Sequence, residues 1–171
     1  MNIFKPKKLK QMKKITLFLS AAVLLVALIA GTSFKTPPPR PSANGQGSLT
    51  VGDQTRHFSF SANTLAGGGV AGSGQLTYTA GGVHIEFTID CMTKVGNSAV
   101  MSGTVTVVEG PSVFEPGWSC WFRVTDNGEG ANATAPDEIS LLYGAPAGLV
   151  CGITIQHVMN PIEGGNIQVK N

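Results

Sequence analysis

From Val83 to Asp90 the chain alternates strictly. Val83, Ile85, Phe87 and Ile89 are apolar, while His84, Glu86, Thr88 and Asp90 are polar or charged. A period of two puts the four apolar side chains on one face, which predicts a half-buried antiparallel strand. Gln75–Thr79 precedes it across Ala80-Gly81-Gly82, and Ser98–Val108 follows it across Val95-Gly96-Asn97. Both connections carry glycine where a tight turn needs positive φ, so the three runs predict a meander. Short β-branched and aromatic runs predict further strands at Thr55–Ser61, Ser119–Thr125, Glu138–Tyr143, Gly152–Val158 and Asn166–Lys170. No segment of the body sustains the apolar 3.6-residue period of a helix. About eight short strands without helices predict an all-β domain, a single antiparallel β-sandwich or barrel, since either form buries one face of every strand.

The N-terminal region follows a different grammar. Lys13-Lys14 leads into Ile15–Ala30, a predominantly apolar run of sixteen residues, and then into Gly31-Thr32-Ser33. A bilayer-spanning helix usually takes about twenty apolar residues, so the pattern predicts a cleaved signal peptide over residues 1–33, with Met12 as an alternative start. Pro37, Pro38, Pro39 and Pro41 make residues 34–47 a semi-rigid Pro/Gly-rich linker, which leaves 48–171 as the all-β domain. Six of the twelve basic residues lie in the first fourteen positions, so the remainder carries a net charge of −4. Such a body has no footprint for a phosphate backbone, which excludes nucleic acid as a partner. Signal cleavage would also leave no membrane attachment. The expected location is extracytoplasmic: secreted, periplasmic or at the cell surface.

Three cysteines, Cys91, Cys120 and Cys151, lie in the exported body. They allow one disulfide with one thiol left over, and they form no Cys-x-x-Cys pair of the zinc or redox type.

Three strings are distinctive: Val124-Thr-Asp-Asn-Gly-Glu-Gly130, Pro136-Asp-Glu-Ile-Ser140 and Glu163-Gly-Gly-Asn-Ile-Gln-Val169. On these the chain resembles a family of small secreted bacterial all-β domains of unknown function, over about residues 55–170. The resemblance implies an extracytoplasmic β-domain and brings no activity with it. It also implies a disulfide between Cys91 and Cys151, with Cys120 left reduced.

Candidate chemistry is sparse. Asp126, Asn127, Glu129, Asp137 and Glu138 crowd oxygen atoms into a thirteen-residue span. Hard cations such as Ca²⁺ take six to eight oxygen ligands, which makes these five a candidate calcium site. The competing reading is a turn in which Asn127 and Gly128 take positive φ and Asp126 accepts backbone hydrogen bonds. His84 and Glu86 share a strand face with Asp90, and His57 and His157 are further candidates for a metal or acid–base cluster there. Trp121 and Arg123 fall on the face opposite Cys120, Phe122 and Val124, where an exposed indole would form a ligand-binding platform for sugar rings. The alternative for Trp121 is cover for a sheet edge or packing under the 114–118 loop. Gly67–Gly72 matches Gly-x-Gly-x-x-Gly but lacks the preceding strand and following helix of a dinucleotide site.

These features favour a non-catalytic β-module that binds a glycan or another cell-surface component, or serves a structural role there. The competing class is a small glycan hydrolase using two of Glu86, Asp90, Asp126, Glu129 and Asp137. A groove with two facing carboxyls would favour the enzyme.

Overall fold

The computed structural model describes residues 37–129, 133, 135–146, 148 and 157–171. The expected signal peptide, Cys151 and most of the strand expected over Gly152–Val158 lie outside them. Apart from Pro37 and Pro38, the described residues belong to one unit, Pro39–Asn171. Among them there is no helix. There are eleven strands: β1 (Ser42–Val51), β2 (Gln54–Thr64), β3 (Val70–Tyr78), β4 (Val83–Ile89), β5 (Cys91–Val95), β6 (Ser98–Glu109), β7 (Ser119–Thr125), β8 (Glu138–Ser140), β9 (Tyr143–Ala145), β10 (Met159–Pro161) and β11 (Gly164–Lys170).

The strands form one continuous antiparallel sheet in the order β10-β8-β7-β6-β4-β3-β2-β1-β11, with β5 added to β6 and β9 to β7. The protein is therefore all-β, as the alternation predicts. The sheet curls in the barrel-like manner and stays open along one seam, between β11 and the region where β7 ends and β8 begins. The expected meander is β3, β4 and β6, with Gly81 and Gly82 at positive φ between β3 and β4 and Gly96 at positive φ in the turn from β5 into β6. Past Asp90 the chain changes its pairing partner on β6. β4 faces the end of β6 at Val105–Glu109, and β5 faces its start at Ser98–Ser102. The strand expected over Glu138–Tyr143 divides instead. β8 pairs with the end of β7 (Val124↔Ile139) and β9 with its beginning (Ser119↔Ala145).

The inward face of β4 is the one the sequence indicates: Val83, Ile85, Phe87 and Ile89 are all buried. The core is aromatic at its centre. The Phe122 ring meets Phe60 edge-on at 5.3 Å and Phe87 at 5.6 Å, which ties β7 to β2 and β4 across the interior. Edge-to-face rings gain quadrupolar attraction beyond the apolar area they bury.

The linker ends earlier than residue 47. Residues 42–47 belong to β1, which pairs along its length with β2 and with β11. Only Leu49, beyond that stretch, is a large buried side chain; the inward positions within it are Ala43, Gly45 and Gly47, too small to read as a core face. Their smallness makes room for rings. Ile167, Gly45, Phe60, Gly74 and Phe87 lie in register across β11, β1, β2, β3 and β4. A Cβ at Gly45 would fall 2.8 Å from the Phe60 ring, and one at Gly74 would fall 2.5 Å from the Phe87 ring. Each ring thus covers a neighbouring glycine, a recurrent way of filling a bent sheet.

Cys120 faces the core, is free, and is almost fully buried. Burial, assisted by the Asp90 charge, pushes its thiol from the ordinary 9.0 up to about 12. Cys91 is disulfide-bonded.

Two outcomes follow from this packing. Gly74→Ala should lower unfolding stability by about 1–3 kcal/mol through overpacking against Phe87. Gly67→Ala, with nothing within 4 Å of its added Cβ, should change stability little. Equal denaturation midpoints for the two variants would refute the ring-over-glycine account. Cys120 should ignore a thiol reagent at neutral pH until the chain is denatured, because the reactive species is the thiolate. Above pH 9 the unfolded chain releases a proton that the folded chain keeps to about pH 12. The stability tied to this thiol is therefore intact below pH 9 and lost as pH rises through that window. Thermal melts should fall more steeply with pH there in the parent than in Cys120→Ala.

Candidate binding site

The outward face of the first strands carries a groove of about 690 Å³, within the ~300–1,000 Å³ usual for ligand sites. It is built from repeated triplets in which polar residues flank an inward one: Asn44-Gly45-Gln46, Ser59-Phe60-Ser61, Ser73-Gly74-Gln75, Glu86-Phe87-Thr88 and Asn166-Ile167-Gln168. Because side chains alternate, the inward residue of each triplet enters the ring-and-glycine row and its two neighbours face out. The register lines these neighbours into two rows across the strands. One runs Asn166, Gln46, Ser59, Gln75, Glu86, and the other Gln168, Asn44, Ser61, Ser73, Thr88. No lysine or arginine lines the groove, and Glu86 is its one carboxylate.

Both rows begin at Glu129, whose Oε1 accepts from Asn166 Nδ2 at 3.2 Å and from Gln168 Nε2. Glu129 sits on the loop that forms the seam. Asp126 Oδ2 accepts the Val169 N–H at 2.9 Å, and Asp137 Oδ2 accepts the Ile167 N–H at 2.7 Å. These N–H groups point away from β1, so the carboxylates take the place of a missing neighbouring strand. The other oxygen of each is also engaged: Gly128 N–H donates to Asp126 Oδ1 at 3.0 Å, and Asn127 N–H donates to Asp137 Oδ1 at 2.8 Å. The Asn97 side chain donates to the Asp126 carbonyl at 2.7 Å and anchors the loop to the β5–β6 turn.

This arrangement corrects the calcium reading. Asp126, Asn127, Glu129, Asp137 and Glu138 do not converge on a shared point. The first four reach separate donors or acceptors, and Glu138 lies in the β7–β8–β10 ladder. Among the described residues no group of three or more His, Cys, Asp or Glu is placed to hold a metal ion. The turn reading fits in part: Asp126 accepts backbone hydrogen bonds and Gly128 has φ 97°, but Asn127 does not take positive φ.

Trp121 is also corrected. It is only 8% exposed: β9 pairs beside it in the sheet, and Tyr143, its cross-strand partner, stacks on the indole at 5.9 Å. A platform needs a bare ring, and this one is covered. Arg123 is half-buried, with Nη2 donating to Ser98 Oγ at 3.4 Å. His84 and Glu86 do meet, at 3.1 Å, and His84 Nδ1 lies 3.2 Å from Thr77 Oγ1. His57 lies two strands away on the same face, while His157 is buried with its ring against Tyr143. Asp90 stands at the β4–β5 junction, outside the groove lining.

No family model, curated protein or solved structure matches this chain.

The groove residues escape a motif search because each strand supplies only two of them. The legible signal is the polar–inward–polar triplet, repeated on five strands. The seam makes its own prediction. Asp137 is buried and accepts two N–H bonds, and charge-assisted bonds are worth about 1.5–3 kcal/mol each. Asp137→Asn sets an amide N–H₂ against a backbone N–H, so it should cost about 3 kcal/mol in denaturant unfolding. Melting curves in calcium and in chelator should superimpose. A calcium-dependent rise that disappears in Asp126→Asn would reinstate the metal site.

Proposed function

We propose that this protein is an exported, non-catalytic binding module that acts outside the cytoplasm and holds a polar, extended ligand in the groove. The observation that carries the reading is the groove's composition: amides and hydroxyls in two aligned rows with a single carboxylate. A glycan hydrolase needs two carboxyls roughly 5–9.5 Å apart across the scissile bond. Here Asp126 and Asp137 are committed to the seam, and Glu86 and Glu129 stand at opposite ends of the rows. Four strand spacings separate β11 from β4, about 19 Å along the sheet.

Export rests on the N-terminal pattern of Lys13–Ala30. The disulfide at Cys91 supports it, since such bonds persist in oxidising compartments. With Cys120 free, the partner we propose for Cys91 is Cys151, the pairing that the resemblance to small secreted bacterial β-domains implies.

The test is sedimentation with insoluble envelope material from the producing cell. The protein should co-sediment without releasing soluble saccharide, and Ser61→Trp, at an exposed groove position, should abolish binding while leaving the melting temperature unchanged. Release of saccharide by the parent protein would turn the reading toward the hydrolase. Equal sedimentation of parent and variant would remove the groove as the site.

A further inference from the structure

We infer that the occupant of the groove is an uncharged glycan chain lying across the strands along the two polar rows, an inference that rests on the binding-module reading above. Charge is the first constraint. With no lysine or arginine in the lining, and with the one ammonium beside it, Lys170 Nζ, already donating to Gln168, a polyanion would meet the carboxylates at both ends of the rows with little compensation. A basic polymer would find only Glu86, which already pairs with His84, and Glu129, which already holds two amides.

Peptides are the second constraint. They are usually captured by strand addition at an edge, by apolar pockets or by charge clusters. The groove floor is the interior of a sheet, with β1, β2, β3 and β4 paired to neighbours on both sides. Its outward side chains offer neither apolar pockets nor charge clusters. Each amide and hydroxyl of the rows can both donate and accept, as sugar hydroxyls do.

Spacing is the third. Row members stand about 4.8 Å apart, one strand spacing, close to the rise per unit of an extended pyranose chain. The two rows lie two residues apart along each strand, about 6.8 Å, so both edges of a ring can be contacted. Glu129 is a positioning residue here. It draws the N–H₂ groups of Asn166 and Gln168 toward itself, and Lys170 Nζ donates to Gln168 Oε1. The carbonyl of Asn166 is thereby left to accept from a ligand hydroxyl.

The experiment is calorimetric titration of the mature protein with cellohexaose, xylohexaose and maltohexaose, their disaccharides, hexagalacturonate and hexalysine. At least one neutral hexaose should bind, more tightly than its disaccharide. Gln46→Ala and Ser61→Ala should each weaken it, up to about tenfold per lost pair of hydrogen bonds, with unchanged melting temperatures. Glu129→Gln should weaken the hexaose and leave the disaccharide less affected, a split that mere loss of stability would not produce. Binding of hexagalacturonate or hexalysine alone, no neutral hexaose bound, or neutral binding untouched by both alanine variants overturns the inference. Envelope sedimentation that Ser61→Trp abolishes would in that case still uphold the binding module.

Discussion

The fold depends on two carboxylates that hold the backbone of the last strand. β11 pairs with β1 along one edge only. Its other edge would be a bare row of N–H and C=O groups, the feature that invites aggregation in open sheets. Asp126 and Asp137 accept two of those N–H groups, at 2.9 and 2.7 Å, and each uses its second oxygen to fix the loop that carries it. The consequences run inward. Ile167, fully buried, lies against Gly45, Gly45 lies beneath the Phe60 ring, and Phe60 meets Phe122 on the opposite wall. Loosening the seam therefore reaches the aromatic centre of the core through three contacts.

The seam also gives a physical meaning to the three distinctive strings of the sequence. The first supplies Asp126 and Glu129, the second supplies Asp137, and the third supplies the strand they hold. Sequence reading finds their density of oxygen atoms and offers a cation site beside a turn. Carboxylates that receive backbone N–H groups need no cation, because each N–H brings its partial positive charge to a separate oxygen. Density of acids in a string does not reveal which donors they will meet, since those donors lie some thirty to forty residues further along.

What was legible follows from burial on one side. β4 alternates cleanly because every inward position is a large apolar residue and every outward one is polar. β7 reveals half of itself: Cys120, Phe122 and Val124 are core as the pattern indicates, but Trp121 is buried too, because the ring of Tyr143 on the adjoining β9 stacks on it. A period of two cannot announce an outward side chain that a ring from the neighbouring strand will cover. β1 fails for the opposite reason. In its first half the inward positions are Ala43, Gly45 and Gly47, kept small so that the rings of β2 can occupy the space, and Ala, Gly and Gly beside a proline run read as linker. The groove is hidden more deeply, since it exists only once five strands are in register.

β11 joins these levels in one strand. Ile167 and Val169 give their N–H groups to the seam, and Ile167 gives its side chain to the core. Asn166 and Gln168 turn the other way, into the groove, and Glu129 holds both from the loop that also carries Asp126. The seam and the first wall of the groove are therefore one mechanical unit. The proposed ligand, lying across both rows, would tie β11 to β4 through its own hydrogen bonds, adding to the ladders that already join them. Such binding would stabilise the folded sheet by mass action, because the two rows exist only in it. The open seam is thus fastened by side chains rather than by a full ladder, on the same strand that forms the first wall of the groove.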